Sequence, residues 1–199
     1  MSIKFVDASK YDKGLPHQLD AWEYLQQNTP PHVLVEFEKR FRNQKADNLY
    51  SGISLIKEFE NIELVAYPDP KTKGKPYTVG WGSTRKKDGT PFKLGERITQ
   101  KEADELFDYQ IQNEFLPQLR KIPYWEEMNV NQRGALLCFA YNLGADFYGS
   151  PDFNTITRVL KNKEWSKVPE ALKLYRNPGT DVEAGLLRRR IAEGKLWMS

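Results

Sequence analysis

Glu60, Asp69 and Thr78 are the residues of this 199-residue chain whose types and spacing could do chemistry, within SLIKEFENIELVAYPDPKTKGKPYTVGWGST. A glycosidic bond breaks through an oxocarbenium-like transition state. One carboxylic acid must protonate the leaving oxygen while a second carboxylate activates water or attacks the sugar. The two acids therefore need different surroundings. Spacing alone leaves open that Glu60 is a solvated helix-end acid and Asp69 an ordinary turn residue.

The elements that would position them can be read locally. Ile53, Ile56 and Phe59 recur at helical spacing, and Ser51 is placed to cap that helix, leaving Glu60 at its last turn beside apolar neighbours. Partial burial there would raise its pKa and keep it protonated. Asp69 falls in DPKTKGKP, a Pro, Gly and Lys-rich turn where water and lysines favour the ionised form. Alternation along YTVGWG puts Thr78, Gly80 and Gly82 on one face and Tyr77, Val79 and Trp81 on the other, so Thr78 could hold a water beside Asp69. Further on, Thr99 with Glu102 forms a capping box before an amphipathic run, and Asn129 and Gly144 bracket the apolar helix NQRGALLCFAYNL.

The segment from Glu60 to Gly82 resembles the active-site signature of the phage-type lysozymes, glycoside hydrolase family 24. FENIELVAYPD matches without a gap, and TVGWG stands where the family has its second strand. The turn PKTKGKPY is longer than the family's, and Ser83 and Thr84 occupy a stretch where the family often carries His. The resemblance covers residues 49–199 and includes ERITQKEADELF, NQRGALLCFAYNLG, VLKNKEWSKVPEAL and GLLRRRIAEGKLW. It implies an α+β, two-lobed lysozyme fold: a small lobe with an antiparallel hairpin sheet over 62–98, a larger helical lobe, and a cleft between them. It further implies hydrolysis of the β-1,4 bond between N-acetylmuramic acid and N-acetylglucosamine in peptidoglycan, with Glu60 as general acid and Asp69 and Thr78 serving the water or the cationic transition state. The same likeness leans toward direct attack by water, with inversion, while the carboxylate separation that distinguishes inverting from retaining chemistry is not set by the sequence. Tyr141 and Asn142 become substrate contacts, with core packing the alternative for Tyr141. One of Arg188, Arg189 and Arg190 pairs with Glu60, so Arg189 and Arg190 are expected to support the site, while a solvated helix face is the reading for at least two of the three. A lytic transglycosylase using the same Glu60, or a non-catalytic peptidoglycan-binding protein on this scaffold, are the competing readings.

Composition narrows the field. Thirty basic and 27 acidic residues leave a net charge of +3, suited to an anionic wall polymer and too weak to call for nucleic acid. Arg85, Lys86, Lys87, Lys93, Arg97 and Lys101 concentrate positive charge beyond the hairpin, as a wall-facing surface or a solvated loop. Zinc or thiol peptidase chemistry needs ligands or a Cys–His pair. The two histidines, His17 and His32, lie outside the 48–199 catalytic domain, and Cys138 sits in GALLCFA as an inert buried thiol. No metal or organic cofactor is implied. The opening MSIKFVDASKYDKG lacks the apolar run of a secretory signal, and no stretch approaches the ~20 apolar residues that cross a bilayer. The expectation is a monomer made in the cytoplasm and reaching the wall through a holin-type pore, a delivery particle or cell rupture. Residues 1–47 form an appendage of two short amphipathic helices, HQLDAWEYLQ and HVLVEFEKRF, with Pro16 and Pro31 near their starts and RNQKADNLYSG as the linker.

Overall fold

The computed structural model describes residues 27–34, 49–68 and 73–199. The chain divides into two compact units, Met1–Asn48 and Leu49–Ser199. In the first, residues 31–34 are helical, begun by Pro31, with the Val33 and Leu34 amides donating to the Pro30 carbonyl. The segment HQLDAWEYLQ and most of HVLVEFEKRF lie outside the described residues.

The second unit opens with α1 (Tyr50–Phe59), then β1 (Glu63–Pro68) and β2 (Tyr77–Gly80), which pair antiparallel. A helical series follows: α2 (Gln100–Gln110), a π-helical turn (Ile111–Phe115), α3 (Leu116–Leu119), α4 (Val130–Leu143), α5 (Asn154–Lys161), α6 (Val168–Leu172) and α7 (Glu183–Met198). This is the α+β, two-lobed arrangement expected.

The small lobe has its own apolar cluster of Ala66, Val79, Phe92 and Leu106, with Tyr77 and Ile98 packed on it. Its second edge is covered by the chain at 95–98, where the Ala66 amide donates to the Glu96 carbonyl and the Ile98 amide to the Leu64 carbonyl. The alternation expected along YTVGWG holds through Val79 and fails at Gly80. There φ is +65°, so the pleat breaks and Trp81 turns toward the large-lobe core instead of following Val79.

The large lobe is built around α4, in which Arg133 through Ala140 are buried. A helix apolar all round must be surrounded, and α1 and α7 lie against it. Its ends form as the sequence indicates. Asn129 and Gln132 make a reciprocal capping box, and Gly144 ends the helix at φ +109°. Thr99 and Glu102 make the same box at α2.

Ser51 does not cap α1. The helix starts two residues earlier than a Ser51 cap would set it, after Leu49, and the Ser51 hydroxyl inside its first turn donates instead to Asn131 Oδ1 on α4 at 2.7 Å. That bond exists because the backbones nearly touch: a Cβ on Gly52 would sit 2.4 Å from Gly134 Cα and 2.5 Å from its carbonyl oxygen. Asp104 on α2 ties the lobes. Its Oδ1 accepts from Lys57 Nζ on α1 at 2.7 Å and from Trp81 Nε1 at 2.9 Å, and Lys57 Nζ lies 4.7 Å from the Trp81 ring centroid.

Gly52→Ala should therefore lower stability by about 1–3 kcal/mol and the midpoint of thermal unfolding by roughly 3–10 °C. Gly185→Ala on α7, where an added Cβ meets nothing within 4 Å, should be neutral or stabilising. For Asp104, the Lys57 hydrogen bond holds the carboxyl below its ordinary 3.8. A depressed folded-state value stabilises above pH 3.8 and is lost as pH falls through the folded value. Asp104→Asn should then cost under about 1 kcal/mol at pH 7, because solvent screens the pair, with the gap to wild type closing on acid titration of the unfolding midpoint.

Candidate active site

Glu60 is the C-cap of α1. Its amide still donates to the Ile56 carbonyl, but its own backbone is extended (φ −98°, ψ 126°), which sends the chain into β1. The carboxylate is oriented by a cation: Arg189 Nη1 on α7 donates to Glu60 Oε1 at 2.6 Å, across 129 positions of sequence. Glu60 is 27% exposed at its side chain and Arg189 6%. The apolar surround expected for Glu60 is thus replaced on one side by a buried guanidinium. The neighbouring Phe59 ring is flanked by the Arg188 and Arg189 guanidiniums at 5.6 and 5.5 Å.

Thr78 pairs with Tyr67 across the hairpin, and Val79 beside it points into the small-lobe core, so the pleat turns Thr78 to the opposite face. Asp69 lies outside the described residues. Glu60 and Thr78 therefore flank the same hairpin, one just ahead of its first strand and one on its second.

Tyr141 is mostly buried near the end of α4. Its hydroxyl donates to the Trp81 carbonyl at 2.6 Å, and its ring stacks on Phe115 of the π-helical turn at 5.1 Å. Burial, and then the Glu60 carboxylate, push its hydroxyl well above the ordinary range. The hydroxyl is spent on holding the hairpin base, which favours packing over substrate contact. Asn142 Oδ1 accepts from Arg190 Nη2 at 3.0 Å.

The arginine triplet departs from expectation. Only Arg188 is exposed; Arg189 and Arg190 are buried, so a solvated face fits one of the three. What makes this tolerable is Glu193, which sequence reasoning missed. It is fully buried, with Oε1 2.9 Å from Arg190 Nη2 and 3.5 Å from Arg189 Nε. The available signal was its spacing of four and three residues from the two arginines, which sets opposite charges on one helix face. Burial pushes the Glu193 carboxyl up to about 7 against the pull of Arg190 and then Arg189. Arg189 also donates through Nη2 to the Cys138 carbonyl at 3.3 Å. The Cys138 thiol is buried, and burial pushes its pKa far up, as an inert thiol requires.

The basic segment after the hairpin is less basic than its sequence. Lys86 meets Glu96 at 2.6 Å, and Lys87 and Lys101 meet Glu105 at 3.5 and 3.7 Å. A hollow of about 300 Å³ there is lined by both signs of charge, including Arg97 and Glu102, and holds none of the expected site residues. Among the described residues no helix is long and apolar enough to cross a membrane.

Comparison with known proteins gives this geometry a context. The chain matches the phage lysozyme family across residues 57–193, a span holding Glu60, Asp69, Thr78, both buried arginines and Glu193. The endolysin of Salmonella phage P22 is 32% identical over 151 residues, covering 75% of this chain and 96% of that protein. The endolysin of Lactococcus phage c2 is 34% identical over 149 residues, 74% of this chain; the match spans 58% of that relative's length. A P22 lysozyme mutant in crystal form superimposes with a TM-score of 0.57 at 32% identity, over 75% of this chain and 96% of that one. The muramidase domain of SpmX from Asticaccaulis excentricus gives 0.57 at 26% identity, over 75% and 95%. With the α+β lobes, the acid at the end of α1 and the match running through all of them, this chain belongs to the phage lysozyme family.

Proposed function

We propose that this protein hydrolyses the β-1,4 bond between N-acetylmuramic acid and N-acetylglucosamine in bacterial peptidoglycan, as a muramidase of glycoside hydrolase family 24. The observation that carries the reading is Glu60 held by Arg189 at the helix-to-hairpin junction, inside the span that matches the family. The relatives named endolysin and the neighbour named a muramidase domain support the substrate class.

In this mechanism Glu60 carries the proton to the glycosidic oxygen as the bond breaks. An acid in that role must be fixed within hydrogen-bond reach of the leaving oxygen, and the guanidinium grip on one carboxyl oxygen restricts its rotation. Asp69 and Thr78 hold the attacking water or stabilise the cationic sugar from the hairpin side. Arg189 and Arg190 support the site, the second by holding Asn142; Asn142 bounds the substrate end of α4, and Tyr141 fixes the hairpin base beside it. Residues 1–47 are an appendage to a catalytic domain over 48–199. The protein acts as a monomer on a wall reached after release or delivery, by a holin-type pore or a particle.

Glu60→Gln should lower release of new reducing ends from purified peptidoglycan by about 10²–10⁴-fold while wall binding persists. Asp69→Asn and Thr78→Val should lower turnover with little change in KM. Muropeptide masses in the same digests separate the alternatives: anhydro products from wild type would make it a lytic transglycosylase, and no cleavage by wild type would leave a wall-binding protein.

A further inference from the structure

We infer that Glu193, which does not reach the hairpin, is a positioning residue for Glu60: it shares the charge of Arg189 and Arg190, so that Arg189 orients the acid through one contact without locking it as an anion. The inference rests on the proposed role of Glu60 as general acid.

Glu60, Arg189, Glu193 and Arg190 form a chain of alternating sign. A guanidinium does not lose its proton, so two of them side by side and almost wholly out of water require a counter-charge. Glu60 alone cannot supply both. Ionised, Glu193 closes the balance at zero; neutral, as burial favours below about pH 7, it leaves the cluster an excess positive charge whose nearest anion is Glu60.

Geometry sharpens the point. A guanidinium is a rigid planar fork that grips a carboxylate best with two parallel bonds. Arg189 has its Nη2 on the Cys138 carbonyl and its Nε edge turned to Glu193, and so meets Glu60 through Nη1. The Cys138 carbonyl on Nη2 thus denies Glu60 a second parallel bond, and Glu193 faces the remaining Nε edge. Arg190, held by the same Glu193 oxygen and lying 4.8 Å over the Phe139 ring, reaches the Asn142 amide.

The surroundings contain few other charges. Glu193 faces Arg189 and Arg190 from its own helix and the Cys138 thiol from α4, and the Glu60 carboxylate at the end of α1 lies across Arg189. From α6 the contact is apolar: a Cβ on Gly194 would meet Pro169 Cβ at 3.1 Å. A change of charge at Glu193 is therefore felt mainly through the two guanidiniums.

The experiment is the pH profile of kcat and KM on purified peptidoglycan, from pH 4 to 9, for wild type, Glu193→Gln and Arg190→Gln. Glu193→Gln removes the anion that wild type gains above about pH 7, so the basic limb of kcat should move to lower pH by on the order of one unit, about a tenfold loss at fixed pH on that limb. Arg190→Gln removes a cation and should move the limb the other way. KM should change little in Glu193→Gln; Arg190→Gln also frees Asn142, so what tests it is the direction of the limb in kcat. Opposite displacements cannot come from loosened packing, and if one variant fails to fold, the sign of the other still decides. Limbs that coincide with wild type, or that move in the same direction, overturn the inference. A wild type that releases no reducing ends would instead overturn the muramidase reading, a result distinct from an active wild type whose profile the variants leave unmoved.

Discussion

Burying two adjacent guanidiniums is the constraint on which the rest of the large lobe depends. Arg189 and Arg190 lie at the centre of α7 with side chains that water barely reaches. Charges in such a place persist only when they are paired and hydrogen-bonded. Their partners come from three directions: Glu60 at the end of α1, the Cys138 carbonyl and Asn142 amide on α4, and Glu193 one turn along α7. The pairings require α1, α4 and α7 to meet at one point. Close approach makes that possible, since Gly52 and Gly134 let the α1 and α4 backbones touch and Gly194 lets α7 lie on Pro169. Trp197 closes the far end of α7 by donating to the Trp165 carbonyl at 2.9 Å.

The hairpin is joined to that centre by two polar ties and by the Trp81 ring tilted against Phe107 at 6.3 Å. Tyr141 holds the Trp81 carbonyl, and Asp104 holds the Trp81 indole nitrogen and Lys57. Both converge just beyond Gly80, where the strand breaks. The strand end is therefore fixed to α2 and α4, and Thr78 lies three residues before that anchor. A site assembled from a helix end and a strand needs such fixing, because small displacements between acid and water are costly in rate.

Much of this was legible in the sequence wherever the cause is local. The capping boxes at Thr99 and Asn129 and the stop at Gly144 depend on residues within one helical turn, and they stand where they were expected. Glu60 at the end of its helix and Thr78 on the second strand were found by a signature that keeps its spacing. The misreadings are long-range. Ser51 looked like a cap because its neighbours fit one, yet its hydroxyl goes to Asn131, 80 residues away. Three adjacent arginines looked solvated because a run of charge usually is; that two of them turn inward depends on α4 and α1 packing against α7, which no local pattern encodes. The basic segment at 85–101 looked one-signed because Glu96 and Glu105 were not counted beside the lysines they meet. Asp69 lies outside the described residues, so its place rests on the resemblance and the family match.

Using a guanidinium to aim a general acid sets two requirements against each other. The contact orients the carboxyl, yet a cation beside a carboxyl opposes the protonation that a general acid needs. An apolar wall would favour the proton but provide no direction, since dispersion contacts do not fix which oxygen faces the substrate. Sharing the cation between two carboxylates reconciles them: the direction of the Nη1 bond is kept, while part of the guanidinium's charge is answered by a second anion. That second anion can do this only if it is buried with the cation, because in water the high dielectric would cut their interaction at about 4 Å to roughly 1 kcal/mol. Hence the carboxylate that balances the site has no exposed surface, whereas the one that faces the hairpin is a quarter open.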